Sequence, residues 1–267
     1  MKLNNTLIPV TVIIPCFNCK TTVRKTLDSV KNQTLQPTEV ILVDDCSSDG
    51  TFDFLTEILP EYPTAKLIAM PKNGGPGIAR NAGWDTAIQP WIAFLDADDT
   101  WHPDKLKIQW QFIQKDTGIT MWGHQTALFD HNKTYEIENN ITVEEVELKQ
   151  MLISNKFPTR SVMLKKDIPF RFRDKSVTED YLLWLEIISS GYKAKKINCV
   201  LAFSLRPDFS PGGYSGQLWK HEKRELRAFK ILHEEQKISF SKLLFYSVFS
   251  VAKYFRRVLI SATISEK

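Results

Sequence analysis

Four apolar runs without alternation constrain this chain most: VTVIIP at 10–15, EVILVDD at 39–45, AKLIAM at 65–70 and WIAFL at 91–95. A strand wetted on one side alternates polar and apolar residues, whereas a continuous run is buried on both faces, as in a parallel sheet covered by helices. Helical patterns stand between the runs. TTVRKTLDSVKNQ repeats apolar residues at Val23, Leu27 and Val30, with Thr21 or Thr22 as N-cap. CSSDGTFDFLTEIL reads as a loop, a cap at Ser48 or Asp49 and a helix to Leu59, and PKNGGPG leads into a helix over 78–87. This alternation predicts an α/β fold with a doubly wound, mostly parallel sheet and right-handed crossovers.

Ligands of such sheets bind beyond the carboxyl ends of the strands. The residues expected there are Pro15, Cys16, Phe17 and Asn18, then Asp44 and Asp45, then Asn73, Gly74 and Gly75, and finally Asp96, Ala97, Asp98 and Asp99. Three carboxylates in four positions, with no Lys or Arg before Lys105, repel one another unless a cation or hydrogen-bond donor intervenes. Two readings resolve the cluster. Mg²⁺ or Mn²⁺ takes carboxylate oxygens and is completed by substrate phosphates. Alternatively, Asp98 and Asp99 cap a helix over PDKLKIQWQFI, with Pro103 in its first turn.

Beyond residue 118 the pattern is less regular. Strands are expected at 118–129 and 160–166, a helix after the polar turn that follows Tyr135, and a further helix at 178–191 between Thr178 as N-cap and Gly191 as stop. Glu179 and Asp180, taken alone, are first-turn acids that complement a helix dipole. No linker interrupts the chain before about residue 218, so 1–218 reads as one domain, with 9–100 and 101–218 as its halves, followed by a basic helical segment, 219–267. Within that segment Leu244, Val248, Val251, Phe255 and Val258 share one helical side, and Lys242, Ser250, Lys253 and Arg257 the other. The unbroken apolar run is far shorter than the roughly 20 residues a bilayer span needs. The segment reads as a basic amphipathic helix on an anionic membrane face; the rival is a helix docked on the domain or on the second copy of a homodimer.

With 43% hydrophobic residues over 267, the chain can bury a large core, so disorder is not the expectation. A net charge of +4 is too mild for nucleic acid as a partner. The N-terminus carries Pro9 and Pro15 within its apolar stretch and lacks a secretory cleavage pattern, so a cytoplasmic location is expected. Cys16, Cys19, Cys46 and Cys199 form no disulfide framework, and the lone C-x-x-C of Cys16 and Cys19 has no second pair to complete a zinc site.

In order and spacing, PCFN at 15–18, VDDCSSDG at 43–50, NGGPGIARN at 73–81, FLDADD at 94–99 and EDYLLW at 179–184 resemble the family 2 glycosyltransferases of GT-A fold, over about residues 9–205. The chain is most similar to members that build bacterial O-antigen, capsule or other envelope polysaccharides. The resemblance implies an inverting, metal-dependent enzyme that takes a nucleotide-sugar, favouring UDP, and a saccharide or lipid-diphosphate-linked saccharide acceptor at the cytoplasmic membrane surface. It implies that Phe17 flanks the base, with Pro15 and Asn18 shaping its pocket and Asp45, with Asp44, accepting from it. Asn73 belongs to the glycine loop, Arg80 contacts the nucleotide, and Asp96 and Ala97 lie at the ribose. Asp98, with Asp96, holds Mn²⁺ or Mg²⁺, Asp180 is the base, and Arg206 matches a loop that closes over the diphosphate. The Q-x-x-R-W block of processive relatives is absent, GQLWK at 216–220 lacking its Arg, which implies one sugar per encounter.

Two alternatives stand beside this. Gly75-x-Gly77-x-x-Arg80 approaches a dinucleotide fingerprint with Asp96 downstream, as in a nicotinamide-dependent oxidoreductase, although the loop follows the third strand rather than the first. A sugar-binding module without catalysis would lack the base, and Asp180 is present.

Overall fold

The computed structural model describes residues 7–130, 133, 135–137, 140–205 and 218–265. Its first half alternates β1 (Leu7–Cys16), α1 (Val23–Lys31), β2 (Gln36–Asp44), α2 (Thr51–Ile58), β3 (Ala65–Ala69), α3 (Pro76–Thr86) and β4 (Trp91–Phe94). These strands are parallel in the order β3-β2-β1-β4, with Ile13 paired to Ile41 on one side and to Phe94 on the other. The unalternating runs have the predicted cause. Val12 and Ile14 pack with Leu27 and Leu55 on one face, while Ile13 and Ile41 pack with Ala79 and Trp84 on the other. Burying each such side chain stabilises the fold by about 1.5–3 kcal/mol before entropy is counted.

The second half contains β5 (Asp99–Trp101), α4 (Lys105–Lys115), β6 (Met121–Leu128), β7 (Val143–Glu145), α5 (Leu148–Ile153), β8 (Met163–Lys165), α6 (Glu179–Ser189), β9 (Ala194–Ser204), α7 (Leu218–Glu234) and α8 (Phe240–Ser265). It extends the same sheet with mixed pairing: β8 joins β4 to β6 antiparallel, β6 runs parallel to β9, and β9 pairs antiparallel with β5 and β7. The strand expected at 160–166 is shorter, because Thr159–Ser161 forms a 3-10 turn ahead of β8. The cap reading of the acid cluster fails here, since Asp99 opens β5 and the N-cap of α4 is Asp104.

The tail differs most from expectation. Ala228, Phe229 and Leu232 of α7 are buried in the same core cluster as Tyr181 and Trp184. Then α8 docks through its polar side: Ser250 donates to Glu225 at 2.9 Å, Lys253 donates to the Ile153 carbonyl at 2.5 Å, and Arg257 pairs with Glu222 at 2.8 Å. Lys253 and Arg257 therefore turn to the protein, because Glu222 and Glu225 on α7 are buried and need cations, while Lys242 stays exposed. Phe240, Leu244, Phe245, Val248, Phe249 and Phe255 are left exposed. Among the described residues, no helix is long and apolar enough to cross a membrane.

Candidate active site

The carboxyl ends of β1, β2 and β4 open into a cleft of about 900 Å³ that also reaches the starts of α3 and α6 and the C-terminal helices. Pro15, Phe17, Asn18, Asp45, Asn73, Arg80, Asp96, Ala97, Asp98 and Asp180 all line it. Phe17 presents its ring, 52% exposed, at the cleft. Asn18 follows in the left-handed region, φ 49°, where Asn is tolerated, and its Oδ1 accepts from the Ser48 N–H at 2.8 Å. That bond ties the loop after β1 to the loop after β2.

Asp45 builds the glycine loop. Its Oδ1 accepts from the Gly74 N–H at 2.8 Å and its Oδ2 from the Gly75 N–H at 2.7 Å, while Asn73 donates to its carbonyl at 2.9 Å. Gly75 sits at φ 86°, a conformation natural only to glycine. Asp44 lies deeper, accepts from the Ser47 N–H at 3.1 Å, and is not on the cleft wall. Asp44 is the last residue of β2 and Asp45 begins the loop beyond it, which is why only Asp45 reaches the cleft.

The acid cluster divides three ways. Asp96 Oδ1 lies 2.5 Å from Arg80 Nη2. Burial favours the neutral form of Arg80, but Asp96 and Glu179 outweigh it and hold the guanidinium charged. Asp99 is buried and pairs with Arg160 at 3.2 Å. Burial lifts its carboxyl to about 7, with Asp96 and Asp98 adding to the rise and Arg160 opposing it. Asp98 lines the cleft beside Asp96 and Asp99. Among the described residues, no group of three or more His, Cys, Asp or Glu side chains could hold a metal ion. Asp98 and the second oxygen of Asp96 nevertheless make a hard-oxygen donor set that suits Mg²⁺ or Mn²⁺, which needs only one or two carboxylates beside substrate phosphates.

The start of α6 supplies two more acids. Asp180 Oδ2 accepts from Thr159 Oγ1 at 3.0 Å, which fixes the carboxylate. Glu179 is 6% exposed, and burial lifts it to about 7; the charge of Asp180 adds to this and Arg80 opposes it. A Cβ on Gly77 would come 2.8 Å from the Arg173 carbonyl and 3.0 Å from Glu179 Cγ, so glycine there lets α3 and α6 meet beneath the cleft.

Arg206 lies outside the described residues. Sequence reasoning did not single out Thr159, Arg160 or Lys175, which line the cleft from between α5 and α6 and carry no motif of their own. Nor did it place His221, Glu225, Lys253 and Arg257 there. The side of α8 that carries Lys253 and Arg257 was legible, but not which way it turns. The four cysteines are free, Cys16 and Cys19 buried beside the cleft.

A mostly parallel sheet with paired acids, an arginine and a glycine loop at its carboxyl rim defines a GT-A glycosyltransferase. The chain belongs to glycosyl transferase family 2, whose model matches residues 11–182. It is 32% identical to the Escherichia coli UDP-Glc:alpha-D-GlcNAc-diphosphoundecaprenol beta-1,3-glucosyltransferase WfaP, over 72% of this chain and 74% of that one. It is 26% identical to the putative teichuronic acid biosynthesis glycosyltransferase TuaG of Bacillus subtilis, over 87% and 90%. Staphylococcus aureus TarS 1-349 in complex with UDP-GlcNAc superposes with a TM-score of 0.72 at 17% identity, covering 93% of this chain and 73% of that one. The mannosyltransferase PcManGT of Pyrobaculum calidifontis, solved with GDP-Man and Mn²⁺, superposes with a TM-score of 0.64 at 17% identity, covering 97% and 81%. The oxidoreductase alternative falls with this family match and with the position of the loop after β3.

Proposed function

We propose that the chain is a divalent-metal-dependent, inverting glycosyltransferase that moves one sugar from a UDP-sugar to a lipid-diphosphate-linked saccharide at the inner membrane face. The single observation that carries this reading is that one cleft holds Asp180, fixed by Thr159, together with Asp98 and the Arg80–Asp96 pair. UDP and the lipid diphosphate follow the donor and acceptor for which the Escherichia coli relative is named.

In this reading residues 9–100 serve the donor and 101–218 the acceptor. The Phe17 ring stacks on the base, Asn18 and Pro15 bound its pocket, and the remaining lone pairs of Asp45 accept from the base. Asp96 and Ala97 meet the ribose, while Arg80 holds Asp96 in place. Asp98, with Asp96, would hold Mn²⁺ or Mg²⁺, which as a Lewis acid stabilises the charge left on the departing diphosphate. Asp180 takes the proton of the acceptor hydroxyl as that oxygen attacks the anomeric carbon. The anomeric C–O bond breaks on the far side and its electron pair leaves with UDP, so an α-linked donor yields a β-linkage. Within residues 219–267 the outer side of α8 is the membrane-facing part, supported by its exposed apolar residues and by Lys242 and Arg256, both exposed near it.

The test is incubation of the purified chain and Mn²⁺ with UDP- and GDP-sugars, following nucleotide release with and without EDTA. Release from a UDP-sugar that EDTA abolishes, with a β-linked product from an α-linked donor, is expected. Release from no sugar nucleotide sinks the reading.

A further inference from the structure

The cleft does not end at Asp180. It runs on to His221 and Glu225 of α7 and to Lys253 and Arg257 of α8, whose outer side is the exposed apolar face. We infer that Lys253 and Arg257 form the seat for the diphosphate of a lipid-linked acceptor, with its apolar chain leaving along α8. The inference rests on the proposed acceptor class and adds where that acceptor is held.

Both side chains keep access to solvent, Lys253 at 28% and Arg257 at 30%, while the acids they lean on, Glu225 and Glu222, are 7% and 0% exposed. The acids orient the cations without covering them. Arg257 spends Nη2 on Glu222, and its Nε is buried, so the exposed part of the guanidinium is what a ligand can meet. Lys253 Nζ bonds the Ile153 carbonyl and lies 3.5 Å from Glu225. A guanidinium fork and an ammonium four residues apart lie on one side of the helix, where they can share the oxygens of one diphosphate. Nothing in the sugar-nucleotide half needs these cations, since Arg80 already serves the acid cluster there. A diphosphate here leaves its saccharide inside the cleft with Asp180 and its hydrocarbon on the side of α8 that carries Leu244, Val248 and Phe255.

The experiment uses the full chain in neutral detergent, which removes anionic lipid headgroups as a rival occupant. Two acceptors bear the same sugar, one on a short prenyl diphosphate and one on an alkyl chain without phosphate. Wild type is expected to favour the diphosphate acceptor in kcat/KM. The variants are Lys253→Gln and the paired Glu222→Gln/Arg257→Gln, in which an amide pair replaces the buried ion pair so that the chain still folds. Each is expected to raise KM for the diphosphate acceptor by about 10- to 100-fold, leaving that for the alkyl acceptor nearly unchanged. Calorimetric UDP binding checks that the donor half is intact in each variant. An undiminished preference for the diphosphate acceptor in folded variants overturns the inference, as does a wild type that does not distinguish the acceptors. A wild type that turns over no sugar nucleotide with either acceptor overturns the proposed function itself, and the inference with it.

Discussion

Arg80 Nη2 on α3 lies 2.5 Å from Asp96 Oδ1 past the end of β4, which locks the helix after the glycine loop to the first acid of the cluster. The guanidinium is buried and also sits 5.3 Å from the centroid of the Phe172 ring. Arg80→Met should leave Asp96 without its cation and cost about 1–3 kcal/mol of stability, along with most of the UDP affinity. Urea denaturation and calorimetric titration with UDP measure the two losses.

Asp180 accepts from Thr159, a bond that holds its carboxylate in one rotamer. Asp180→Asn should lower kcat by about 10²- to 10⁴-fold while UDP still binds. Thr159→Val should lower kcat less, because the base survives without its orienting donor. Steady-state kinetics beside UDP titration separates the two effects.

Glu179 has a folded-state carboxyl near 7 against an ordinary value of 4.5. Between those limits the folded chain keeps a proton that the unfolded chain releases, so stability is full below about pH 4.5 and falls as pH rises through 7. Burial makes the effect large, about 1–3 kcal/mol. Denaturation of the metal-free, nucleotide-free protein at pH 5 and pH 7.5 should show the decline, and Glu179→Gln should make it shallower. Asp99, lifted to about 7 in the same direction, keeps some slope in that variant.

Gly77 lies between the Arg173 carbonyl and Glu179. Gly77→Ala should push α3 from α6 and cost about 1–3 kcal/mol by overpacking, even though alanine is the better helix former. A thermal melt and the kcat of the variant check this; a gain in stability would show that the two helices part freely.

Phe245 and Phe249 stand exposed and stacked, 6.5 Å between centroids, on the outer side of α8. Phe245→Ser/Phe249→Ser should abolish most sedimentation with anionic vesicles while leaving the melting temperature nearly unchanged, since neither ring is in the core. Unchanged sedimentation would remove the membrane from the proposal. Point variants suit this test better than truncation, which would also strip Lys253 and Arg257 from the buried acids Glu225 and Glu222.

The four parallel strands and the rim they build were legible because burial on both faces removes alternation from the sequence, and that mark is local. For the same reason Phe17, Asn18, Asp45, Asp96 and Asp98 could be placed at one rim before any contact was known. The antiparallel half was legible only in fragments. The short strands β5, β7 and β8 have three residues each, too few to show a period.

What the chain order alone decided was which residues stand at strand ends, since a strand fixes its own direction and its own faces. Which of the neighbouring aspartates pairs with Arg160 and which with Arg80 depended on cations distant in sequence that only folding brings near. The orientation of α8 was decided in the same way. Its periodicity shows an apolar and a basic side but not which one meets the protein; two buried glutamates on α7 need positive partners, and an unpaired buried charge costs more than exposed phenylalanines.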